Sequence, residues 1–163
     1  MKQLVYRQER DNLFETTHED LRAFRYLNSM LDIFPVLRQL QQQFGLCGVI
    51  KAGLKLATRK RKFYCVIDEG GVAHYGWVSI SFCRHYSVGK DDVVIGPIMT
   101  NERARGRGLA TFAIKHVTNA LIALGYRVFW IDTSEDNIAC KKVIQKCGFG
   151  NPVVSYERPE DGL

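Results

Sequence analysis

The feature that most constrains this chain is a short basic turn between a strand-like run and an amphipathic helix. The turn is R-G-R-G-L-A, residues 105–110, and Arg103 adds a third arginine just before it. Two glycines let the backbone turn tightly and come close to a ligand. The first amide N–H groups of the following helix have no partners within it, and the helix dipole adds positive charge there. The turn therefore predicts a binding site for a pyrophosphate or a similar anion.

Two common phosphate-binding motifs do not fit this turn. A Walker A loop requires G-x-x-x-x-G-K-[ST], and the chain has no such run. The dinucleotide fingerprint requires G-x-G-x-x-G, and Thr111 stands where its third glycine would be. The alternative to an anion site is an ordinary loop before a surface helix, which leaves the three arginines and two glycines unexplained.

The segments around the turn predict a mixed sheet of α/β type. Apolar or alternating runs bounded by turn residues predict strands at residues 2–7, 63–67, 72–82, 92–100, 126–132 and 152–157. Helical spacing predicts helices within residues 18–60, with breaks near Pro35 and Gly45, over 109–124, and from about 137 to 147. After the short strand at residues 2–7, helices come first, and strands broken by two helices follow.

Composition narrows the class of protein. The 163 residues, 46% hydrophobic and 25% charged, are typical of one soluble globular domain spanning residues 1–163. No window reaches about 18 consecutive apolar residues, and the N-terminus turns polar too early for a signal peptide, so we expect a cytoplasmic protein. Five cysteines without a C-x-x-C pair and four scattered histidines argue against a disulfide framework and against a metal site.

The same turn carries a resemblance to a known family. R-x-x-G-x-A, formed by Arg105, Gly108 and Ala110, resembles the coenzyme A pyrophosphate loop of GNAT acyltransferases. Residues 137–149, N-I-A-C-K-K-V-I-Q-K-C-G-F, resemble the second motif of that family. The resemblance covers residues 63–158. It implies a GNAT-like α/β (α+β) domain: a mixed twisted sheet with splayed central strands, N-terminal helices and a central pyrophosphate-binding helix.

The resemblance also implies a reaction and a set of binding residues. Acetyl-CoA would be the co-substrate, a small-molecule amine the acceptor, and no metal would take part. The implied cofactor-binding residues are Gly96, Ile98, Met99, Thr100, Arg105, Gly106, Arg107, Gly108, Leu109, Ala110 and Asn137. Proline is unusual inside a strand, and Gly96-Pro97 falls where the fourth strand of this family bulges away from the fifth; the alternative is a plain loop at these two residues. Backbone N–H groups around Gly96 and Ile98 would polarise the thioester carbonyl.

The general base is assigned less directly. Some GNAT enzymes carry a glutamate thirteen residues before the loop arginine, and Asp92 stands at that position. We therefore name Asp92 as the candidate base, with a solvated charge at the end of a strand as the alternative. His85 and Asp132 are further candidates, and each has a structural role as its alternative.

The sequence departs from the family at the general acid. Many members place a tyrosine seven positions after the motif asparagine, and that position is Ile144 here. Either the thiolate leaves without a side-chain acid, or Cys140, Cys147 or Tyr156 replaces the tyrosine. The spacing of the two cysteines on one helical face is also that of core packing.

The acceptor site in this family is built from the N-terminal helices and the loop after the third strand, here residues 18–60 and about 83–91. Residues 46–62 combine an apolar stripe with lysines and arginines. The segment is either a scaffold helix or a surface that attracts a phosphorylated acceptor or an anionic membrane. A loose similarity to GNAT proteins associated with surface-polysaccharide synthesis favours an amino sugar or sugar nucleotide. A protein or amino-acid amine, or a non-catalytic CoA-binding regulator, is the alternative.

Two further expectations concern partners. The net charge of +6 favours a polyanion, but the 103–107 cluster lacks interleaved aromatic residues, so we expect no nucleic acid. Only 14 residues follow Phe149, where the family usually has a hairpin of two strands. One strand is therefore either missing or donated by a partner chain, and the second case predicts a homodimer.

Overall fold

The strand-like runs of the sequence join into one sheet. The computed structural model describes residues 1–16 and 23–158, and within them the sheet has seven strands in the order β2-β3-β4-β5-β6-β1-β7. The strands are β1 (Lys2–Glu9), β2 (Phe24–Leu27), β3 (Arg61–Asp68), β4 (Gly71–Ile80), β5 (Val93–Thr100), β6 (Val128–Ser134) and β7 (Val154–Glu157). Strands β5 and β6 run parallel, and the other neighbouring pairs run antiparallel. The predicted mixed sheet is confirmed.

Three α-helices accompany the sheet in the described part of the chain: α1 (Leu37–Ala57), α2 (Leu109–Ala123) and α3 (Ile138–Lys146). Both predicted breaks are confirmed, because Pro35 lies in a separate 3-10 helix and Gly45 kinks α1 with a φ of 68°. The helical prediction is wrong for residues 24–27, which form β2. That strand pairs antiparallel with β3, and such long-range pairing overrides local helix preference. Residues 18–22 of the predicted helical segment lie outside the described residues.

Side-chain alternation along β3 separates two cores on opposite faces of the sheet. Tyr64 and Val66 point to the face covered by α2 and α3, and both are almost completely buried. Phe63 and Cys65 point to the opposite face, where α1 and the preceding 3-10 helix cover them. The sheet is therefore covered on both faces in this region, which fixes the position of β4 and β5 beside it.

The N-terminal strand closes the sheet on its other side. Strand β1 lies between β6 and β7, so that Val5 pairs with Asp132 on one neighbour and with Val154 on the other. Val5 is fully buried. The chain itself thus supplies two strands, β1 and β7, beyond β6. The predicted homodimer stays a prediction, and completing the sheet is no longer a reason for it.

Candidate active site

A gap between β5 and β6 forms the centre of the site. The two strands pair at Val93, Val94 and Ile95, and the pairing stops there. On the other side, β4 continues to pair with β5, but its register shifts between Gly76 and Val78. Two residues of β5, Gly96 and Pro97, therefore stand opposite one residue of β4, which is a β-bulge. The predicted bulge is present, and β5 separates from β6 beyond it.

The predicted anion site lies at the N-terminus of α2. Gly106 and Gly108 have φ values of 77° and 75°, in the left-handed region that favours glycine. The Phe112 N–H donates to the Gly108 carbonyl at 3.0 Å as the first hydrogen bond of the helix. The N–H groups of residues 109–111 precede this bond, so the helix itself offers them no acceptor. This end of α2 can therefore donate to a bound anion.

A first cleft of about 630 Å³ runs from this turn to the gap between the strands. Nine of the predicted cofactor-binding residues line it: Ile98, Met99, Thr100, Arg105, Gly106, Gly108, Leu109, Ala110 and Asn137. Asn137 also begins α3, where its side-chain oxygen accepts the Cys140 N–H at 3.0 Å. Arg107 is outside the lining and forms a 2.5 Å ion pair with Asp68 in the β3–β4 turn. Gly96, one of the two bulge residues, lines a second cleft instead.

Two lysines of the first cleft were missed in the sequence. Lys142 and Lys146 both line it and are exposed. Their spacing of four residues places them on one side of α3, one turn apart. They face the same cleft as the N-terminus of α2, so they add full positive charge to its partial charge. The signal was readable: it is the i, i+4 lysine pair inside the second family motif.

A second cleft of about 280 Å³ opens on the other side of the bulge. Gly96, Pro97 and Ile98 form one wall, and Asp132 of β6 and Tyr156 of β7 contribute to the rest. Ile98 lines both clefts. The two clefts therefore meet where β5 leaves β6, and a molecule lying in one can reach a molecule in the other at this point.

Asp132 is the carboxylate of the second cleft. Burial raises its pKa, while the Tyr86 hydroxyl beside it and the charges of His85 and Arg158 oppose that rise. Burial also raises the pKa of Tyr156 to about 12, with the Asp132 charge as a further cause. The rings of His85 and Tyr156 stack with centroids 5.1 Å apart and planes 8° apart. The cleft thus combines a partly buried carboxyl group with a phenol and an imidazole, which are the groups that general acid–base chemistry uses.

Asp92, the base predicted from the sequence, lies outside both clefts and contacts Trp130 and Gly89. Its carboxylate accepts hydrogen bonds from Trp130 Nε1 at 2.7 Å and from the Gly89 N–H at 2.9 Å. It lines neither cleft. Gly96 lies four positions further along the chain, a distance of about 13 Å at the usual rise per residue of a strand. The role of Asp92 as general base stays a prediction, and these contacts are those of a residue that secures the start of β5.

The candidates for the general acid differ in their surroundings. Ile144 is 1% exposed and packs in the core with Cys147, whose thiol has its pKa raised to about 12 by burial. Cys140 lines the first cleft, and burial raises its pKa as well. Tyr156 lies in the second cleft. Among the described residues, no group of three His, Cys, Asp or Glu side chains could hold a metal ion.

Solved structures with the same fold include acetyltransferases bound to coenzyme A. The aminoglycoside N-acetyltransferase AAC(6')-Iy in complex with CoA is 23% identical, with a TM-score of 0.59 over 83% of this chain and 98% of that one. A predicted acetyltransferase from Clostridium acetobutylicum, solved with acetyl-CoA, is 16% identical, with a TM-score of 0.53 over 86% and 92%. A tandem GNAT protein from the clavulanic acid biosynthesis pathway is 15% identical, with a TM-score of 0.59 over 93% of this chain and 50% of its own. At these identities the likeness is one of fold.

The family is established by sequence. No curated protein sequence matches the chain. The model of the acetyltransferase (GNAT) family, however, matches residues 18–149, which is most of the chain and contains both motifs. This match agrees with the bulge in β5, with the glycine turn before α2 and with the mixed sheet. The chain belongs to the GNAT acetyltransferase family.

Proposed function

We propose that this chain transfers the acetyl group of acetyl-CoA to the primary amine of an amino sugar or sugar nucleotide. One observation carries the proposal: Ile98 lines both clefts, so a thioester in the first cleft and an amine in the second can meet beside the bulge. AAC(6')-Iy, which shares the fold, was also solved with the bisubstrate analogue CoA-S-monomethyl-acetylneamine, at 21% identity and a TM-score of 0.61.

The residues of the first cleft fit the chemistry of coenzyme A. The N–H groups at the start of α2 and the side chains of Arg105, Lys142 and Lys146 offer donors and positive charge for a pyrophosphate. Gly108, with its φ of 75°, keeps the backbone accessible at that end. Acetyl-CoA supplies an activated thioester, and the backbone N–H groups around Gly96 and Ile98 are assigned to polarise its carbonyl.

Asp132 is the better-placed general base. It lines the second cleft, whereas Asp92 lines neither. Burial raises the pKa of Asp132 and brings it closer to neutral pH, which improves a carboxylate as an acceptor of the ammonium proton. Tyr156 in the same cleft is assigned to return a proton to the leaving thiolate, in place of the tyrosine that Ile144 replaces.

The residues that line the second cleft also favour an amino sugar or sugar nucleotide as the acceptor. The rings of His85 and Tyr156 offer flat surfaces against which a sugar can lie, and the guanidinium groups of Arg61 and Arg84 suit a phosphate. A cytoplasmic enzyme acting on a small-molecule acceptor remains part of this proposal. The alternative acceptors are a protein or amino-acid amine.

The test is acetyl transfer from acetyl-CoA to nucleotide-activated amino sugars, free amino sugars, amino acids and peptides, measured side by side. We expect the highest kcat/KM for an amino sugar, and a higher value still when it carries a phosphate. Activity confined to peptides or amino acids would contradict the acceptor class. Binding of acetyl-CoA without transfer to any amine would favour the non-catalytic regulator.

A further inference from the structure

The outer side of α1 exposes apolar residues that the fold does not cover. After the kink at Gly45, Leu46, Ile50 and Leu54 follow one another at intervals of four and are 63%, 55% and 64% exposed. This spacing places them on one side of the helix, here called the exposed face of α1. Val49 and Leu56 are buried on the side that packs on the sheet. The stripe predicted from the sequence is therefore two apolar faces, and only one of them belongs to the core.

The same segment is strongly basic. Residues 33–67 contain no Asp or Glu and seven cationic residues: Arg38, Lys51, Lys55, Arg59, Lys60, Arg61 and Lys62. Lys51 and Lys55 are exposed and each follow an exposed apolar residue directly, so the charges lie along one border of the exposed face of α1. The local charge exceeds the net charge of +6 of the whole chain. Such a concentration of one sign of charge favours an anionic partner.

A groove extends this surface beyond the end of the helix. A cavity of about 500 Å³ has Met30 and Leu31 on one side and Ala57 and Arg59 on the other. Leu31 is 73% exposed. Arg61, two residues after Arg59, lines the second cleft of the active site. The basic segment 59–62 therefore connects the exposed face of α1 with the side of the molecule where the second cleft opens.

We propose that the exposed face of α1, with Lys51 and Lys55, rests on an anionic membrane surface. Apolar side chains bordered by cations suit a lipid interface, where the apolar groups enter the acyl boundary and the cations meet the head groups. A symmetric dimer through this face would bring two strongly basic surfaces together. Nucleic acid would match the charges but leave the leucines and isoleucine without apolar contacts. Within the described residues, no helix has the length and apolar character needed to cross a bilayer.

The test is cosedimentation of the full chain with vesicles of phosphatidylcholine alone or with 30% phosphatidylglycerol. We expect binding to the anionic vesicles only, weakening as salt is added. The double variant Ile50→Gln and Leu54→Gln should lose about tenfold or more in affinity, because both side chains are exposed in the protein and enter the interface only on binding. Lys51→Glu should lose about fivefold or more.

Matched control variants distinguish binding through this surface from non-specific adsorption to vesicles. Leu124 lies at the end of α2 and is 56% exposed, so Leu124→Gln removes an equally exposed leucine elsewhere. Lys90 is also exposed, so Lys90→Glu reverses a charge elsewhere and is the control for Lys51→Glu. Both should bind vesicles like the unaltered chain. Absence of binding to anionic vesicles, or equal losses in the controls, would overturn the proposal. So would a dimer in sedimentation velocity that only Ile50→Gln and Leu54→Gln dissociate, or tighter binding to an oligonucleotide than to vesicles.

Discussion

The indole Nε1 of Trp130 donates a hydrogen bond of 2.7 Å to the Asp92 carboxylate, which ties β6 to the start of β5 just before the two strands separate. Asparagine at position 92 keeps an oxygen acceptor for this bond and removes the charge. If Asp92 acts through this contact alone, Asp92→Asn should lower kcat less than tenfold, measured under saturating amine and acetyl-CoA. A loss of about 10²–10⁴-fold would instead support the sequence-based assignment of Asp92 as general base.

Asp132 is expected to respond in the opposite way. Asp132→Asn should lower kcat about 10²–10⁴-fold, because it removes the proton acceptor of the second cleft. The pH profile provides the sharper readout. The carboxylate is the active form, so the rate of the unaltered enzyme should fall as pH falls through the pKa of Asp132, which burial raises above its ordinary value of 3.8. That acidic limb should disappear in Asp132→Asn, and a limb retained there would assign it to another group.

The glycine turn before α2 allows a matched pair of variants. Gly108 and Gly70 have φ values of 75° and 80°, and in both a side chain would have open space around it. Valine at either position therefore carries a similar backbone strain. Only Gly108 lines the first cleft, so Gly108→Val should weaken acetyl-CoA binding in calorimetry about tenfold or more beyond Gly70→Val. Equal affinities in the two variants would remove the assignment of the turn to the pyrophosphate.

The lysine pair of α3 predicts a salt-dependent contribution to cofactor binding. Lys142→Ala and Lys146→Ala should each raise the Kd for acetyl-CoA by up to about fivefold, the range expected for exposed ion pairs, and added salt should reduce the difference. Lys141 on the same helix does not line the cleft, so Lys141→Ala should have the affinity of the unaltered chain. An equal change in all three variants would indicate a general charge effect.

The parts of the fold that depend on local pattern were predictable. The hairpin of β3 and β4 and the helix α2 follow from turn residues and from helical spacing, and the glycine turn follows from its composition. The position of β1 was not predictable, because its pairing with β6 joins Val5 to Asp132 across most of the chain. Local sequence patterns do not indicate which distant strands will pair. The same holds for β2, a four-residue strand that pairs with β3 at the edge of the sheet.

In the site, too, the features set by local sequence were predictable and those set by long-range contacts were not. Nine of the eleven predicted cofactor-binding residues line one cleft because the motif fixes their local backbone. The surroundings of Asp132 depend instead on the loop that carries His85 and Tyr86 and on Tyr156 of β7, which meet only in the folded protein. The exposure of Leu54 was equally hidden, because an apolar stripe on a helix does not reveal which part of it the sheet covers.

Buried His74 predicts the dependence of stability on pH. It is 1% exposed, its Nδ1 lies 2.7 Å from Thr100 Oγ1, and burial lowers its pKa from 6.5 to about 4. Between these two values the unfolded chain binds a proton that the folded chain does not. Stability contributed by the neutral imidazole is therefore present above pH 6.5 and is lost as pH falls towards 4, by up to about 3 kcal/mol.

The variant His74→Gln cannot take up this proton. Its free energy of unfolding in urea, measured at pH 7 and pH 4.5, should therefore change less between the two conditions than that of the unaltered chain, even if the variant is less stable at both. His85 is exposed, so His85→Gln serves as the control and should keep the full pH dependence. An equal pH dependence in His74→Gln and in the unaltered chain would show that His74 takes up its proton in the folded and unfolded states alike, in contradiction to the effect of its burial.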